Sequence, residues 1–540
     1  MKHRKRTITV NQIGYPLAAK KVAVFTEPNR SFQVINQAGK IVYKGELSTP
    51  LKDNNSGMII RKGDFTELTK PGTYQVKSGS ATSAWFEISE APYQTLHHGL
   101  LKAFYLFRCG IDLEEKLAGP WKHSACHTAE GIVYGEPDRK LVSSGGWHDA
   151  GDYGKYTVAA AKAIADLLLA YDMYPDAFTR PIPIPETDNH TPDVLHECRY
   201  ELAWLFKMQD NRSGGVFHKL TTLQFPGLDV MPEADKADLY FSPISATATA
   251  SFAAIMAMAA RVYKPFDAIF SENCLRAAQF ADDWLAKNSN VAGFKNPPEI
   301  STGEYGDSQD IDERYWAMAE LYRTTGDQQY HERFIQIAKQ SFNKYELGWT
   351  DVGGYGTLAY LLHGQSNADD SLFESLKTGL IEEADKLVAQ SNRDGYLISL
   401  QENQYIWGSN MLVMNHAMTL LFAYHFTGDT TFEASALEHL HYIIGRNVHD
   451  LSFVTGFGDH RVMNHHHRPS VADNVIEPVP GLVSGGPNKK LQDEYVKKHL
   501  QGRAPAQCFV DHQDSYSTNE VTIYWNSPTV FVVSHWVKPK

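Results

Sequence analysis

Two aspartates stand three residues apart in the segment GGWHDAGDYGKY, residues 145–156. Asp149 and Asp152 flank Ala150 and Gly151, and a run of alanines typical of a helix follows. A helix N-terminus stabilises a nearby negative charge by some tenths of a kcal/mol up to ~1 kcal/mol. The ordinary interpretation is therefore an N-cap aspartate with an acidic neighbour. The other interpretation is an acid–base site, which requires a partner carboxylate elsewhere in the chain.

Glu520 offers such a partner near the C-terminus. It follows Asn519 and precedes VTIYW, an alternating apolar run. A carboxylic acid among aromatic side chains is desolvated, which raises its pKa and suits it to donate a proton. Taken alone, Glu520 is also typical of a capping or surface glutamate.

A short span of the chain carries the side chains that zinc prefers, namely Cys109, His123, Cys126 and His127. Two thiolates and two imidazoles suit a closed tetrahedral site, although the spacing C-x13-H-x2-C-H is not that of a standard zinc finger. The alternative is a pair of buried free cysteines. A catalytic metal on the triple histidine 465–467 is not favoured, because three adjacent histidines cannot all face one ion from a regular element.

The composition excludes several classes of function. Asp and Glu number 63 against 51 Lys and Arg, so the basic face that nucleic-acid binding requires is not indicated. The chain has no P-loop, dinucleotide-binding or H-E-x-x-H motif, and we expect no organic cofactor. Five cysteines do not indicate a disulfide framework. Aromatic residues reach 12%, which suits either a sugar-stacking cleft or a large aromatic core.

The N-terminal segment MKHRKRTITVNQIGYP has a basic run without the apolar region or cleavage site of a signal peptide. No apolar stretch approaches the ~18 residues of a membrane span. We therefore expect a cytoplasmic protein that requires neither a membrane nor an obligate protein partner.

The chain changes character near residue 92. Short β-rich runs broken by Pro, Gly and Asn precede that point and predict a small β-sandwich. About twelve helical segments follow without strand runs between them, which predicts one all-α domain. One of them, 244–263, should be buried around its circumference, because it is apolar or small on all sides. Long loops, which are usually functional, are expected at 109–150, 210–241, 289–308 and 449–519.

The acidic segments together resemble a known family. DAGDYGKY (149–156) and FVDHQDSYSTNEVTIYWNS (509–527) are similar to the two acidic motifs of glycoside hydrolase family 9. SFVTGFGDHRVMNHHHRPS (452–470) is similar to the histidine motif of that family, but His460 and His465 depart from its usual residue types. VNQIGYP near the N-terminus resembles the immunoglobulin-like domain of one branch of the family.

This resemblance implies a mainly α protein, with an (α/α)6 toroid over residues 93–540 after an all-β immunoglobulin-like sandwich over residues 1–92. It also implies inverting cleavage of β-1,4 linkages, in which the acid and the base lie roughly 6.5–9.5 Å apart to admit a water. Glu520 would then be the acid and Asp152 the base, while Asp149 would help position the water. The residues expected to contact the substrate are His466, Arg468, Asp511, Asp514, Tyr516 and Trp407.

The resemblance further implies two metals. The branch with the immunoglobulin-like domain carries a structural zinc whose ligands correspond to Cys109, Cys126 and His127, and we nominate His123 as the fourth ligand. A calcium site of the family has hard oxygen ligands, for which a solvated acidic helix start is the alternative interpretation. The residues that resemble that calcium site are Ser308, Asp312, Glu313 and Asp351.

The substrate is expected among short β-1,4-linked oligosaccharides. A branch of the family without export signals resembles exo-acting β-glucosaminidases, and an acidic cleft suits a cationic amino sugar. We therefore favour exo-β-glucosaminidase activity on chitosan-type oligomers. The alternative is an endo-β-1,4-glucanase acting on cello-oligosaccharides or β-glucan. More remote alternatives are a non-catalytic sugar-binding protein and a zinc-dependent hydrolase. The N-terminal domain is expected to buttress the toroid and to bind no sugar.

Overall fold

The computed structural model of the protein describes residues 5–188 and 190–537. The chain packs as two compact units. The terminal unit combines the chain up to Ala103 with the chain from Glu382 onward, and the central unit is Phe104–Ile381. Within the terminal unit the segment between the first two strands contacts the end of a C-terminal helix, since the Gln12 N–H donates to the Ile444 carbonyl at 2.9 Å.

Nine strands form the N-terminal part of the terminal unit. They are β1 Ile8–Thr9, β2 Gly14–Pro16, β3 Val22–Phe25, β4 Ser31–Asn36, β5 Ile41–Glu46, β6 Leu51–Asp53, β7 Met58–Asp64, β8 Gly72–Ser78 and β9 Ala81–Ser89. One sheet has the order β1-β3-β7-β6 and the other the order β2-β9-β8-β4-β5. Inward-facing side chains of both sheets, among them Phe25, Val34 and Phe86, meet in one buried cluster. The predicted β-sandwich is confirmed.

Helices take over after β9. They are α1 Gln94–Leu106, α2 Glu115–Ala118, α3 Thr157–Met173, α4 Asp193–Met208, α5 Ala246–Tyr263, α6 Ala268–Lys287, α7 Ile311–Thr325, α8 Gln328–Ala338, α9 Gly353–His363, α10 Asp370–Arg393, α11 Ser409–Thr427, α12 Thr430–Ile443, α13 Arg468–Ala472, α14 Glu494–His499, α15 Tyr516–Asn519 and α16 Ile523–Ser534. Short 3-10 helices lie at Gly119–Trp121, Pro175–Phe178, Pro232–Ala234, Gln365–Asn367, Glu402–Gln404 and Pro505–Gln507. Over the described residues, twelve of the α-helices have eleven or more residues, as the sequence predicts.

Enclosed helices alternate with helices that keep one face exposed. Every residue of α3 from 157 to 170 is buried, and Arg261 is the one residue of α5 that is not. The helices α4 and α6, which follow them, each bury one face. Inner and outer helices in alternation are what an (α/α)6 domain requires. Among the described helices, α5 has the length and composition to cross a membrane, and 94% of it is buried inside the protein.

Short strands lie in two of the predicted loops, and two more directly precede α3 and α5. They are β10 Gly131–Val133, β11 Glu136–Leu141, β12 Lys155–Tyr156, β13 Val216–Phe217, β14 Lys219–Thr221, β15 Tyr240–Phe241 and β16 Ile244–Ser245. Five of them form a sheet in the order β11-β10-β15-β14-β12. The expectation of helices without strands between them is wrong here, because most of these strands are too short to show an alternating pattern. The sheet carries the segment that follows Asp152.

Two buried carboxyl groups lie side by side in the terminal unit. Asp53 is 4% exposed and Asp394 is 3% exposed, and a methyl group on Gly395 would lie 2.8 Å from Asp53 Cγ. Amide N–H groups supply their hydrogen bonds, from Ser56 to Asp53 and from Tyr396 to Asp394, both at 2.8 Å. Burial, and after it the charge of Asp53, raises the pKa of Asp394 to about 7.

We expect Asp394→Asn to raise the Tm by more at pH 8 than at pH 5. The pKa of Asp394 is about 7 in the folded protein and ~3.9 in an unfolded chain. The folded protein therefore holds an extra proton between these values, and its stability falls as the pH rises through them. Asparagine removes that loss. Thermal unfolding of both proteins at both pH values measures the effect, and an equal Tm shift at pH 5 and pH 8 would contradict it.

Candidate active site and metal sites

The loop Asp149–Asp152, here called the DAGD loop, holds both of its aspartates inside the central unit. Asp149 is 1% exposed and Asp152 is 6% exposed. The Asp149 N–H donates to the Gly154 carbonyl at 2.9 Å, and the Tyr305 hydroxyl donates to Asp149 Oδ2 at 2.6 Å. Burial raises the pKa of Asp149 well above its usual range, the Tyr305 hydroxyl lowers it, and the charge of Asp152 raises it further.

Asp152 is fixed through one carboxylate oxygen. The Gly154 N–H donates to Asp152 Oδ2 at 2.8 Å and the Tyr156 hydroxyl donates to the same oxygen at 3.3 Å. A Cβ at residue 154 would lie 2.7 Å from that oxygen, so any larger residue there would displace the Asp152 carboxylate. The close approach explains the glycine that follows the second aspartate of the motif.

The segment before the DAGD loop is anchored by a buried ion network. The Trp147 indole N–H donates to Glu197 Oε1 at 2.8 Å, and the Trp147 backbone N–H donates to Glu201. Arg108, which is fully buried, binds the Glu197 carboxylate through two nitrogens, at 2.9 and 2.8 Å. The attraction within a buried ion pair offsets the cost of desolvating the two charges only when their hydrogen bonds are satisfied, as they are for Arg108 and Glu197.

Four buried side chains converge next to this segment. Single ligand atoms of Cys109, Cys126, His127 and His148 all lie within 4.8 Å of one another. Among the described residues, the His127 Nδ1 atom has no hydrogen-bond partner, while its Nε2 lies 3.4 Å from Asp235 Oδ2. A ligating nitrogen on one side of the ring and a carboxylate on the other is the usual arrangement of a histidine bound to zinc. The residues present therefore fit a closed zinc site.

The nomination of His123 as the fourth ligand is wrong, and His148 takes its place. The His123 ring is turned towards its own neighbour, with Nδ1 2.8 Å from the Ser124 carbonyl. His148 is brought to Cys109 because their segments lie side by side. The Cys109 N–H donates to the Gly146 carbonyl at 2.7 Å and the His148 N–H to the Phe107 carbonyl at 2.8 Å.

An acidic cluster lies at the start of α7. Glu313 is fully buried, and over the described residues both of its carboxylate oxygens lack a hydrogen-bond partner. Burial raises the pKa of Glu313 well above its usual range, and the charges of Asp312 and Asp307 add to the rise. Asp307, which the sequence did not single out, precedes the nominated Ser308 and is influenced by the charge of Asp351. The orphaned carboxylate fits a hard cation, and calcium here stays a prediction.

In the terminal unit, Glu520 lies in an extended segment held on two sides. The His466 N–H donates to the Asn519 carbonyl at 2.8 Å, and the Gly485 N–H donates to the Glu520 carbonyl at 2.9 Å. The side-chain amide of Asn519, a fully buried residue, donates to the Asn464 carbonyl at 2.8 Å. The histidine motif and the second acidic motif are therefore joined through their backbones.

Asp511 holds these two motifs together through its carboxylate. The backbone N–H groups of Met463 and Asn464 donate to it at 2.9 and 2.8 Å, and the Asn519 amide donates to it at 3.1 Å. The Asn464 side-chain amide donates to it as well, at 3.3 Å. Four donors on one carboxylate indicate a positioning role for Asp511 rather than the predicted contact with a sugar. Arg468 is the first residue of α13 and is 6% exposed.

Partly exposed aromatic rings lie beside His466. The Tyr516 ring lies 5.8 Å from the His466 ring and 5.3 Å from the Trp407 ring, and Tyr516 and Trp407 are both 37% exposed. Rings exposed in this way provide apolar faces on which sugars stack. The carboxylate of Asp514 is 60% exposed and lies 3.8 Å from the His512 ring.

We expect His148→Ala to lose bound zinc and His123→Ala to retain it. Removing one of four converging ligands opens the closed site, whereas the His123 ring lies outside it. Metal analysis of both purified variants measures zinc per chain, and thermal unfolding should show a lower Tm for His148→Ala alone. Zinc loss from His123→Ala, or full zinc in His148→Ala, would contradict the assignment.

Two family models match the chain. The model described as glycosyl hydrolase family 9 matches residues 93–533, and the model described as the cellulase N-terminal ig-like domain matches residues 3–83. Together they account for both parts of the architecture described above.

Curated relatives and solved structures agree with these matches. A cellodextrinase of Butyrivibrio fibrisolvens is 37% identical, over 98% of this chain and 99% of its own length. Endoglucanase D of Acetivibrio thermocellus is 34% identical, over 98% of this chain and 83% of its own length. The structure of AaCel9A in complex with cellobiose-like isofagomine superposes with a TM-score of 0.93 at 42% identity, covering 98% of this chain and 99% of the other.

The names of these relatives bear on the substrate. They support the endoglucanase alternative better than the favoured exo-β-glucosaminidase, since one relative is a cellodextrinase and the other an endoglucanase. The matches also bear out the expected fold, an (α/α)6 toroid after an immunoglobulin-like β-sandwich. The chain therefore belongs to glycosyl hydrolase family 9 and is a glycoside hydrolase that acts on β-1,4 bonds.

Proposed function

We propose that the chain hydrolyses the β-1,4-glucosidic bonds of cello-oligosaccharides with inversion at the anomeric carbon. The observation that carries the proposal is the DAGD loop, in which two buried aspartates are held by Gly154 and Tyr305. The cellodextrinase and endoglucanase among the relatives support glucose as the repeating unit. The cellobiose-like ligand of a similar structure supports the same sugar.

Asp152 is the proposed base. A water held beside its carboxylate gives up a proton as its oxygen attacks the anomeric carbon, on the face opposite the leaving group. The Gly154 N–H and the Tyr156 hydroxyl both bind Oδ2, so the carboxylate cannot rotate away from the water. Asp149, fixed by Tyr305, is the proposed second acceptor for that water.

Glu520 is the proposed acid. Its carboxyl group donates a proton to the glycosidic oxygen as the bond from that oxygen to the anomeric carbon breaks. The segment that carries it is held by the backbone of His466 on one side and that of Gly485 on the other. This support limits the motion of the acid relative to the His466 side chain.

His466 and Arg468 are the proposed contacts to sugar hydroxyls, and Trp407 and Tyr516 are the proposed stacking platforms. Sugar rings present apolar faces, which pack on partly exposed aromatic rings. The side-chain amides, carboxylates and imidazoles around such a platform bind the hydroxyl rim. This combination suits a neutral glucose unit.

We infer that both metals serve structure. Zinc, when bound by Cys109, Cys126, His127 and His148, would cross-link two segments, and a site with four protein ligands leaves no position for substrate. Calcium would neutralise the carboxylate of Glu313 at the start of α7. Both sites therefore support the loops that carry Asp149 and Tyr305.

We expect Asp152→Asn and Glu520→Gln each to lower kcat on cellotetraose by about a hundredfold or more, the usual contribution of a general acid or base. An amide can neither accept the proton of the water nor donate one to the leaving oxygen. Product release measured by chromatography gives the rates, and NMR of the fresh product gives its anomeric configuration. The α-anomer should appear first.

The matched control is Glu494→Gln, which makes the same chemical change on a glutamate with a 90% exposed side chain. It should keep the wild-type rate. The β-1,4-linked dimer of glucosamine is assayed in parallel. Faster release of glucosamine than of glucose would overturn the choice of sugar, and β-anomer as the first product would overturn inversion. A wild-type rate in Glu520→Gln would show that Glu520 is not the acid.

A further inference from the structure

Lys219 is a buried lysine that the family-like motifs do not include. It is fully buried and opens strand β14, where it lies directly opposite Tyr156 of β12. Its ammonium nitrogen lies 5.6 Å from the centre of the Tyr156 ring, whose hydroxyl donates to Asp152. A lysine is rarely buried to this degree without partners.

The partners of Lys219 belong to the loop that carries Tyr305. Its ammonium donates to the Gly303 carbonyl at 2.6 Å and to Thr302 Oγ1 at 3.0 Å. The neighbouring His218 places Nε2 3.0 Å from the Tyr305 carbonyl. The start of β14 therefore holds the loop whose Tyr305 hydroxyl binds Asp149.

The charge of Lys219 also interacts with nearby carboxylates, including that of the proposed base Asp152. The acidic groups that act on it are Asp152 in the DAGD loop and Glu304 in the loop of Tyr305. Asp152 also acts on a second carboxyl group, because its charge raises the pKa of Asp149. Burial lowers the pKa of Lys219 to about 7, and Asp152 is the larger of the two charges that oppose this lowering. The ammonium form is thus maintained in part by the carboxylate that it faces.

We propose that Lys219 is a positioning residue for the reaction, which ties the loop of Tyr305 to the strand beside Asp152 and presents a positive charge to Asp152. The two aspartates depend on one lysine in this arrangement, since one is held through Tyr305 and the other through Tyr156. The inference rests on the proposed role of Asp152 as the base. A lysine that only filled the core would stabilise the fold without influencing the reaction at Asp152.

The test compares three variants assayed on whichever β-1,4 oligosaccharide the wild-type protein cleaves. Lys219→Met removes the charge and keeps most of the stem, and Lys219→Arg keeps the charge. The control is Lys21→Met in the β-sandwich, because Lys21 is also buried and also donates to backbone carbonyls, those of Leu17 and Ala19 at 2.7 and 2.9 Å. Each protein is characterised by kcat, KM, Tm and the pH profile of kcat/KM.

We expect Lys219→Met to lower kcat by about tenfold or more with KM changed less than about threefold. The acidic limb of its pH profile should move towards higher pH, because the variant lacks the positive charge that faces the proposed base. Lys219→Arg should keep the wild-type limb, and Lys21→Met should lower Tm with kcat and the limb unchanged.

A wild-type kcat and acidic limb in folded Lys219→Met would overturn the proposal. So would a loss of activity that follows Tm alone, as in Lys21→Met. If Lys219→Met does not fold, Lys219→Arg decides, because a shifted limb with the charge retained contradicts the role of that charge. Asp152→Asn separates the two proposals: a wild-type rate in that variant shows that the base is misassigned, whatever Lys219→Met does.

Discussion

The DAGD loop must keep two carboxyl groups close together and buried, and the rest of the central unit is arranged around that constraint. A buried carboxylate is costly unless hydrogen bonds or charges compensate it. Asp149 is compensated by Tyr305 and Asp152 by Gly154 and Tyr156. Gly154 and Tyr156 directly follow the loop, whereas Tyr305 comes from a distant stretch of backbone, so the environment of Asp149 is complete only after that stretch has packed against the loop.

Two rigid supports meet at this loop. On its N-terminal side, Trp147 is bound by the glutamates of α4, and His148 belongs to the cluster with Cys109. On its C-terminal side, β12 pairs with β14. A site held from both sides is pre-organised, which lowers the cost of aligning a water and a sugar in the transition state. His148 of the cluster and Asp149 of the DAGD loop are consecutive residues, so a rigid cluster also holds the start of the loop in place.

The substrate is a different kind of question from the reaction. The β-1,4 chemistry follows from the family, whereas the choice between glucose and glucosamine depends on a few contacts to one substituent of the sugar ring. The acidic composition that favoured an amino sugar is a property of the whole surface, and a net charge does not specify a pocket. The relatives are informative because they share the detailed shape of the chain.

Local pattern was enough for much of the fold. The alternating runs before residue 92 formed the β-sandwich, and the apolar segment 244–263 became the enclosed helix α5. Periodicity works at this scale because burial of one face depends on neighbours in the sequence. The strands β10 to β16 escaped it, because most are too short to show a period and are paired with distant segments.

The sequence by itself determined the family, and it supplied the candidates for the acid and the base and three of the four residues of the buried cysteine–histidine cluster, since these lie in contiguous motifs. The tertiary structure decided the fourth, His148, because only the pairing of residues 107–109 with 146–148 brings that ring to Cys109. It likewise decided that Asp511 is surrounded by donors, that the Tyr305 hydroxyl reaches Asp149 and that Lys219 holds the loop of Tyr305. Motifs record which side chains a site needs, whereas the partners that orient those side chains depend on how distant segments pack.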